Sequence, residues 1–163
     1  MSERLSTQIS KYFDRLWPLN RSITGNDVRK THKILKEIIP LNTFEIPSGL
    51  KVHDWKIPKE WNIKEAYILT PEGKKICDLK ENNLHVLNYS SSVNKTVTLK
   101  ELQKHLHSIK KIPNAIPYLT SYYEKNWGFC IQDNLRKKLK PGKYKVLIKS
   151  KLTNGSLTIS EKI

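Results

Sequence analysis

The stretch Trp17-Pro18-Leu19-Asn20-Arg21-Ser22-Ile23-Thr24-Gly25 constrains this chain most, because it separates two amphipathic helical patterns and is too specific to be a mere connector. Before it, Leu5, Ile9, Tyr12, Phe13 and Leu16 recur on one helical face, and Trp17-Pro18 stops the run. After it, Val28, Thr31, Leu35, Ile38 and Ile39 repeat the spacing until Pro40. Thr24 and Asp27 are spaced to cap the second helix. A loop carrying Trp, Pro, Arg and Gly has its path fixed by contacts elsewhere. Arg21 is the basic residue in it best suited to hold a carboxylate bidentately, either a substrate terminus or a structural Asp.

Beyond Pro40 the pattern changes to short extended runs punctuated by Pro, Gly and Asn. Strands are predicted over residues 43–46, 50–57, 63–69, 75–79 and 84–89, with Pro71-Glu72-Gly73 turning a hairpin. Thr98-Leu99-Lys100-Glu101 is a capping box that opens a helix to about His107. The prolines of Ile112-Pro113-Asn114-Ala115-Ile116-Pro117 predict extended chain. Residues 118–123 and 127–131 read as strands, and Asp133 as the cap of one helical turn. Tyr144, Val146 and Ile148 alternate with lysines up to Asn154-Gly155, a type I′ signal for a closing hairpin. The fold class is α+β, with two N-terminal helices followed by a β-rich, mostly antiparallel body. Residues 1–40 form the helical start and 41–163 the β-rich part.

Charge narrows the choice of partner. The net charge is +15, yet of 30 basic residues only Arg4, Arg15, Arg21, Arg29 and Arg136 are arginines. Base and phosphate recognition leans on the guanidinium fork, so scattered lysine argues against nucleic acid. The densest basic block, Arg136 to Lys151, lies in a stretch with no carboxylate between Asn134 and Ser160, and it can attract phosphates or an acidic polymer. No apolar run reaches the roughly 18 residues of a membrane span. The charged N-terminal helix is not a signal peptide, so a cytoplasmic location is expected. Cys77 and Cys130, far apart in sequence, read as reduced thiols.

The chemistry-bearing motifs are sparse. His105-x-His107 chelates a metal only if the helix has ended before it. His53-Asp54, read within a strand, points to opposite faces and makes no dyad. There is no nucleophile elbow, P-loop, dinucleotide fingerprint or His-Glu-x-x-His. The one ligand-like feature is the aromatic group Tyr118, Tyr122, Tyr123, Trp127 and Phe129. In it, Tyr122, Tyr123 and Trp127 are candidate substrate or domain-contact residues beside Arg21; as plain core of a small β domain they would have no such role.

The loop around Arg21, with Ile46-Pro47-Ser48-Gly49, Val52-His53-Asp54-Trp55, Ile57-Pro58-Lys59-Glu60-Trp61 and Tyr118-Leu119-Thr120-Ser121-Tyr122-Tyr123, resembles the N-terminal portion of a prokaryotic aminopeptidase-like family related to the di-zinc exopeptidases. Members are often encoded among surface-polysaccharide genes. The resemblance implies two helices opening a peptidase-like α/β domain, an inserted β domain, and zinc-dependent hydrolysis of a peptide or other amide bond in full-length members. It places the zinc ligands beyond the matched region, so no cofactor and no catalytic or metal residue is assigned to this chain. The implied partners are a C-terminal peptidase segment or a completing chain, and a peptide-like or glycan-linked substrate. The expected function is that of an N-terminal fragment, inactive alone. The alternative is a stand-alone binding module for a glycan or protein.

Overall fold

A computed structural model describes residues 2–162, with side chains from Leu5 onward. The elements run α1 (Ser2–Leu16), α2 (Asn26–Leu35), β1 (Asn42–Pro47), β2 (Lys51–Val52), β3 (Trp55–Lys56), β4 (Glu60–Leu69), β5 (Lys75–Ile76), β6 (Val93–Thr98), α3 (Leu99–Gln103), β7 (Leu106–His107), β8 (Phe129–Cys130), α4 (Asp133–Arg136), β9 (Lys143–Thr153) and β10 (Ser156–Glu161). The chain is α+β, as its patterning predicts. It divides into two compact units, one of residues 1–62 and 153–163 and the other of residues 63–152.

In the first unit β1 pairs antiparallel with β10, from Asn42 opposite Glu161 to Pro47 opposite Ser156. The loop before α2 is held by its own backbone and by Thr24. The Thr24 hydroxyl accepts from the Trp61 amide at 3.1 Å, and no side chain caps α2. Asp27 accepts from the Asn20 amide instead, and Gly25 occupies the cap position with no side-chain bond. Arg29, one turn into α2, carries the unit's main polar cluster. Its guanidinium donates to both oxygens of Glu60 at 2.9 and 2.6 Å and to both oxygens of Glu45 at 3.1 Å. Thr158 and Ser156 donate to Glu45, and Asn62 and the Ser156 amide donate to Glu60. Arg29 holds the Glu60 carboxyl down at about 2. Burial alone would raise Glu45, but bonds from Arg29, Ser156 and Thr158 outweigh it and bring that group to about 2 as well. Gly155 is obligatory beside this cluster, because a Cβ there would lie 2.3 Å from the Glu60 carboxylate.

The second unit is built on a four-stranded sheet ordered β5-β4-β9-β6, with β7 and β8 forming a short parallel pair. Val93 to Thr98 pair with Ile148 to Lys143, so Tyr144 lies opposite Val97 on the buried face and Lys145 opposite Thr96 on the exposed one. The core gathers Ala66, Ile68, Val86, Leu102, Phe129, Ile131, Tyr144, Val146 and Ile148, all at most 1% exposed. Cys77 and Cys130 are free and buried within it. Burial drives the Cys77 thiol far up and the Cys130 thiol up to about 11. Neither should therefore react with iodoacetamide at neutral pH until the unit unfolds; alkylation of native protein within minutes would contradict that.

Several elements differ from expectation. His53, at φ 55°, and Asp54 form the turn of a β2–β3 hairpin that replaces the single predicted strand over 50–57. Residues 84–89 do not form a strand: Asn83–His85 is a 3-10 turn capped by the Asn82 side chain, and only isolated bridges follow. The helix opened by the Thr98 box stops at Gln103, and His107 enters β7. Residues 112–115 turn, the Ala115 amide donating to the Ile112 carbonyl, where extended chain was predicted. Asp133 begins α4 without capping it, taking bonds from Ser108 and Lys137 instead. Asn154 and Gly155 lack the positive φ that a type I′ turn requires. Accordingly β9 and β10 do not pair with each other, and each joins a different sheet.

Candidate functional site

Tyr122 and Tyr123, two of the five residues of the predicted aromatic group, line a pocket of about 420 Å³ in the second unit. Residues 87–91 form its scaffold by reaching two loops at once. The Leu87 amide donates to the Gly128 carbonyl at 3.1 Å and the Ser91 amide to Asn126 at 2.8 Å. On the other side Asn88 donates to Leu119 and accepts from Ser121, both at 3.0 Å. These bonds fix residues 119–121 and 126–128, and the turn between them carries Tyr122, Tyr123 and Glu124. Leu87, His107, Leu119, Tyr122, Tyr123 and Glu124 line the cavity.

The two tyrosine rings lie 4.0 Å apart by centroid, and Tyr89 packs on Tyr122 at 5.8 Å. Tyr123 is 75% exposed, which leaves an aromatic face open to a ligand. The bond with Tyr123 raises the Tyr122 hydroxyl above its ordinary range. His107 closes the inner side. Burial, then Arg136 and His105, lower its pKa and favour the neutral ring. Its Nε2 is sealed without a partner, 3.0 Å from where a Cβ on Gly128 would stand. The arrangement therefore suits binding: open aromatic rings and one carboxylate, with an imidazole that does not reach solvent through Nε2.

The four candidate residues do not converge. Tyr122 and Tyr123 share the pocket, but Trp127 is not among its lining residues. Trp127 stacks on His105 at 3.6 Å, beneath the Lys95 ammonium at 4.8 Å, and its carbonyl meets His105 Nδ1 at 3.0 Å. Arg21 belongs to the first unit, is exposed, and makes no ion pair among the described residues. The bidentate carboxylate grip anticipated there is made by Arg29. The residues that close the pocket, Leu87, His107 and Glu124, carry no motif; the nearest signal was Trp127-Gly128, a small residue at a close approach. His105 is likewise engaged, by that stack and that carbonyl, whereas His107 lines the pocket. Among the described residues no three His, Cys, Asp or Glu side chains could hold a metal ion, so the donors present do not fit a zinc site. No described helix is long and apolar enough to cross a membrane.

Fold and pocket together define an α+β protein with a ligand-sized aromatic cavity. The chain belongs to the family described as a domain of unknown function, DUF2172, whose model matches residues 60–151. It is 50% identical, over 98% of its length, to a Clostridium acetobutylicum protein provisionally named a polysaccharide biosynthesis protein with aminopeptidase-like domain. It also superposes with a TM-score of 0.91 and 50% identity, over 98% of this chain, on a crystal structure from Clostridium acetobutylicum provisionally described as a peptidase. The chain spans 37% of the length of the first relative and 38% of the second. The resemblance to aminopeptidase-like proteins thus extends along nearly the whole chain.

Proposed function

We propose that this chain is the N-terminal portion of an aminopeptidase-like zinc hydrolase and is inactive by itself. In this reading it contributes a scaffold and a substrate-side pocket, while the metal-holding segment belongs to the remainder of such a protein. The observation that carries this is the uncovered apolar surface of the first unit. Ile57 and Trp61 are its buried apolar side chains among the described residues. Leu5, Ile9 and Phe13 on α1 are instead 58–62% exposed, and Ile38, Phe44 and Ile159 are 43–53% exposed. Leu5, Ile9 and Phe13 recur every fourth residue along α1 and Phe44 is paired with Ile159, and adjoining exposed apolar side chains of this kind mark an interface. Relatives more than twice as long supply the polypeptide to cover it.

The test is to assay the purified chain with zinc and aminoacyl chromogenic substrates, alone and co-expressed with the remaining segment of the Clostridium relative. Alone, it should show no turnover and retain no stoichiometric zinc. With the segment it should co-purify, and substitution of Ile9 and Phe13 by Ser should abolish that association. Turnover by the chain alone, or association indifferent to those substitutions, would refute the reading. The Tyr122–Tyr123 pocket supports a second role, as a binding module for a glycan or protein partner. Calorimetric titration with neutral oligosaccharides and short peptides separates it from the first, because such binding should persist without the segment and vanish in Tyr123→Ala.

A further inference from the structure

A second cavity, of about 400 Å³, lies between the β4–β5 hairpin and the turns after α4. Its lining includes Lys74, Lys138, Lys140 and Glu72 together with the buried Ile76 and Tyr144. The hairpin tip is locked against the start of β9, where a Cβ on Gly142 would stand 2.4 Å from the Pro71 ring. Lys143 and Lys145 lie on the opposite, exposed face of β9 and stand outside this groove.

Among the described residues none of these five lysines has an ion-pair partner, whereas nearby Lys75 and Lys149 are paired to Asp78 and Glu65. Glu72 is the one carboxylate in the groove, and bonds from Thr70 and its own backbone, then the Lys140 charge, hold it ionised. In the groove, the three ammonium groups of Lys74, Lys138 and Lys140 against one carboxylate leave a local excess that a concave surface focuses.

We propose that this groove binds an anionic polysaccharide, a polymer carrying carboxylates on successive sugars. Lysine ammonium groups are mobile point charges, suited to spaced carboxylates and lacking the planar fork that reads phosphate or guanine. Thr70, which also lines the groove, adds a hydroxyl that matches sugar hydroxyls. Proteins that hold a single nucleic-acid strand add aromatic faces on which its bases stack. The Tyr67 ring is covered by the Lys75 ammonium at 4.4 Å, and Tyr144 is buried with its hydroxyl donating to the Lys140 carbonyl at 2.7 Å. The inference stands apart from the hydrolase reading, since it needs no metal and no other segment.

The test is titration of the whole chain with polygalacturonate by calorimetry, at 50 and 200 mM salt, beside dextran, single-stranded DNA and inorganic phosphate. Polygalacturonate should bind, weaken steeply with salt, and outcompete DNA of equal charge, while dextran and phosphate should not bind. Lys138→Glu with Lys140→Glu should weaken polygalacturonate binding about tenfold or more. The equal charge change Lys51→Glu with Lys111→Glu, at exposed sites elsewhere, should weaken it less than twofold, with circular dichroism confirming both folds. Equal loss in the two double variants, equal or tighter binding of DNA, or no binding at 50 mM salt would overturn the proposal.

Discussion

Replacing Arg29 with Met is expected to destabilise the chain by about 2 kcal/mol and to lower its melting temperature by about 4–8 °C. The guanidinium is the one cation bonded to both Glu45 and Glu60, and its loss leaves two carboxylates facing each other beside Ser156. A fully buried pair broken on one side would cost about 3–5 kcal/mol. The smaller figure reflects solvent screening, because Arg29 and Glu45 side chains are 32% and 42% exposed although Glu60 is only 10% exposed. The same cluster sets an acid limit. Both carboxyls sit at about 2 in the folded chain against an ordinary 4.5. Their stabilisation is complete above about pH 4.5 and is lost as the pH falls towards 2. Urea titrations should show stability dropping through that window in the parent and much less in Arg29→Met. Equal midpoints for the two proteins at pH 7 would refute the assignment.

Gly25→Ala should be more damaging still, by about 3 kcal/mol or more. Gly25 stands at φ 110°, where an L residue is strained, and a Cβ there would lie 2.3 Å from the Trp61 carbonyl oxygen. That oxygen belongs to backbone and cannot swing aside, as a long side chain would. Because Gly25 precedes α2, any shift also displaces Arg29 from its carboxylates. The double variant with Arg29→Met should therefore lose less than the sum of the two. Strict additivity in denaturant titrations would argue that the turn and the ion cluster are independent.

The sequence was readable wherever a local rule dominated. Helical periodicity located α1 and α2, Pro71-Glu72-Gly73 the β4–β5 turn, and the Thr98 box the start of α3, whose Thr98 hydroxyl accepts from the Glu101 amide. Reading failed where distant partners decide. β6 carries no local signal, because Ser90-Ser91-Ser92 precede it and exposed Lys95 interrupts the face shared by Val93 and Val97; its strand identity comes from pairing with β9. Arg29 drew no attention because its carboxylates lie 16 and 31 residues away, while Arg21 sat in the conspicuous loop. The tyrosine pair was visible as composition, but not the pocket. Trp127 left that group because His105 offers a ring to stack on, a contact across 22 residues that spacing cannot show.

The separation of β9 from β10 carries one more consequence. The polypeptide departs along β4 and comes back along β9, and these two strands are hydrogen-bonded neighbours. Neighbouring strands lie about 4.8 Å apart, a gap that a tight turn of a few residues can bridge. Residues 63–152 are thus an excursion of the chain between β1 and β10, and joining Asn62 to Thr153 through a short turn should leave β1 and β10 in register.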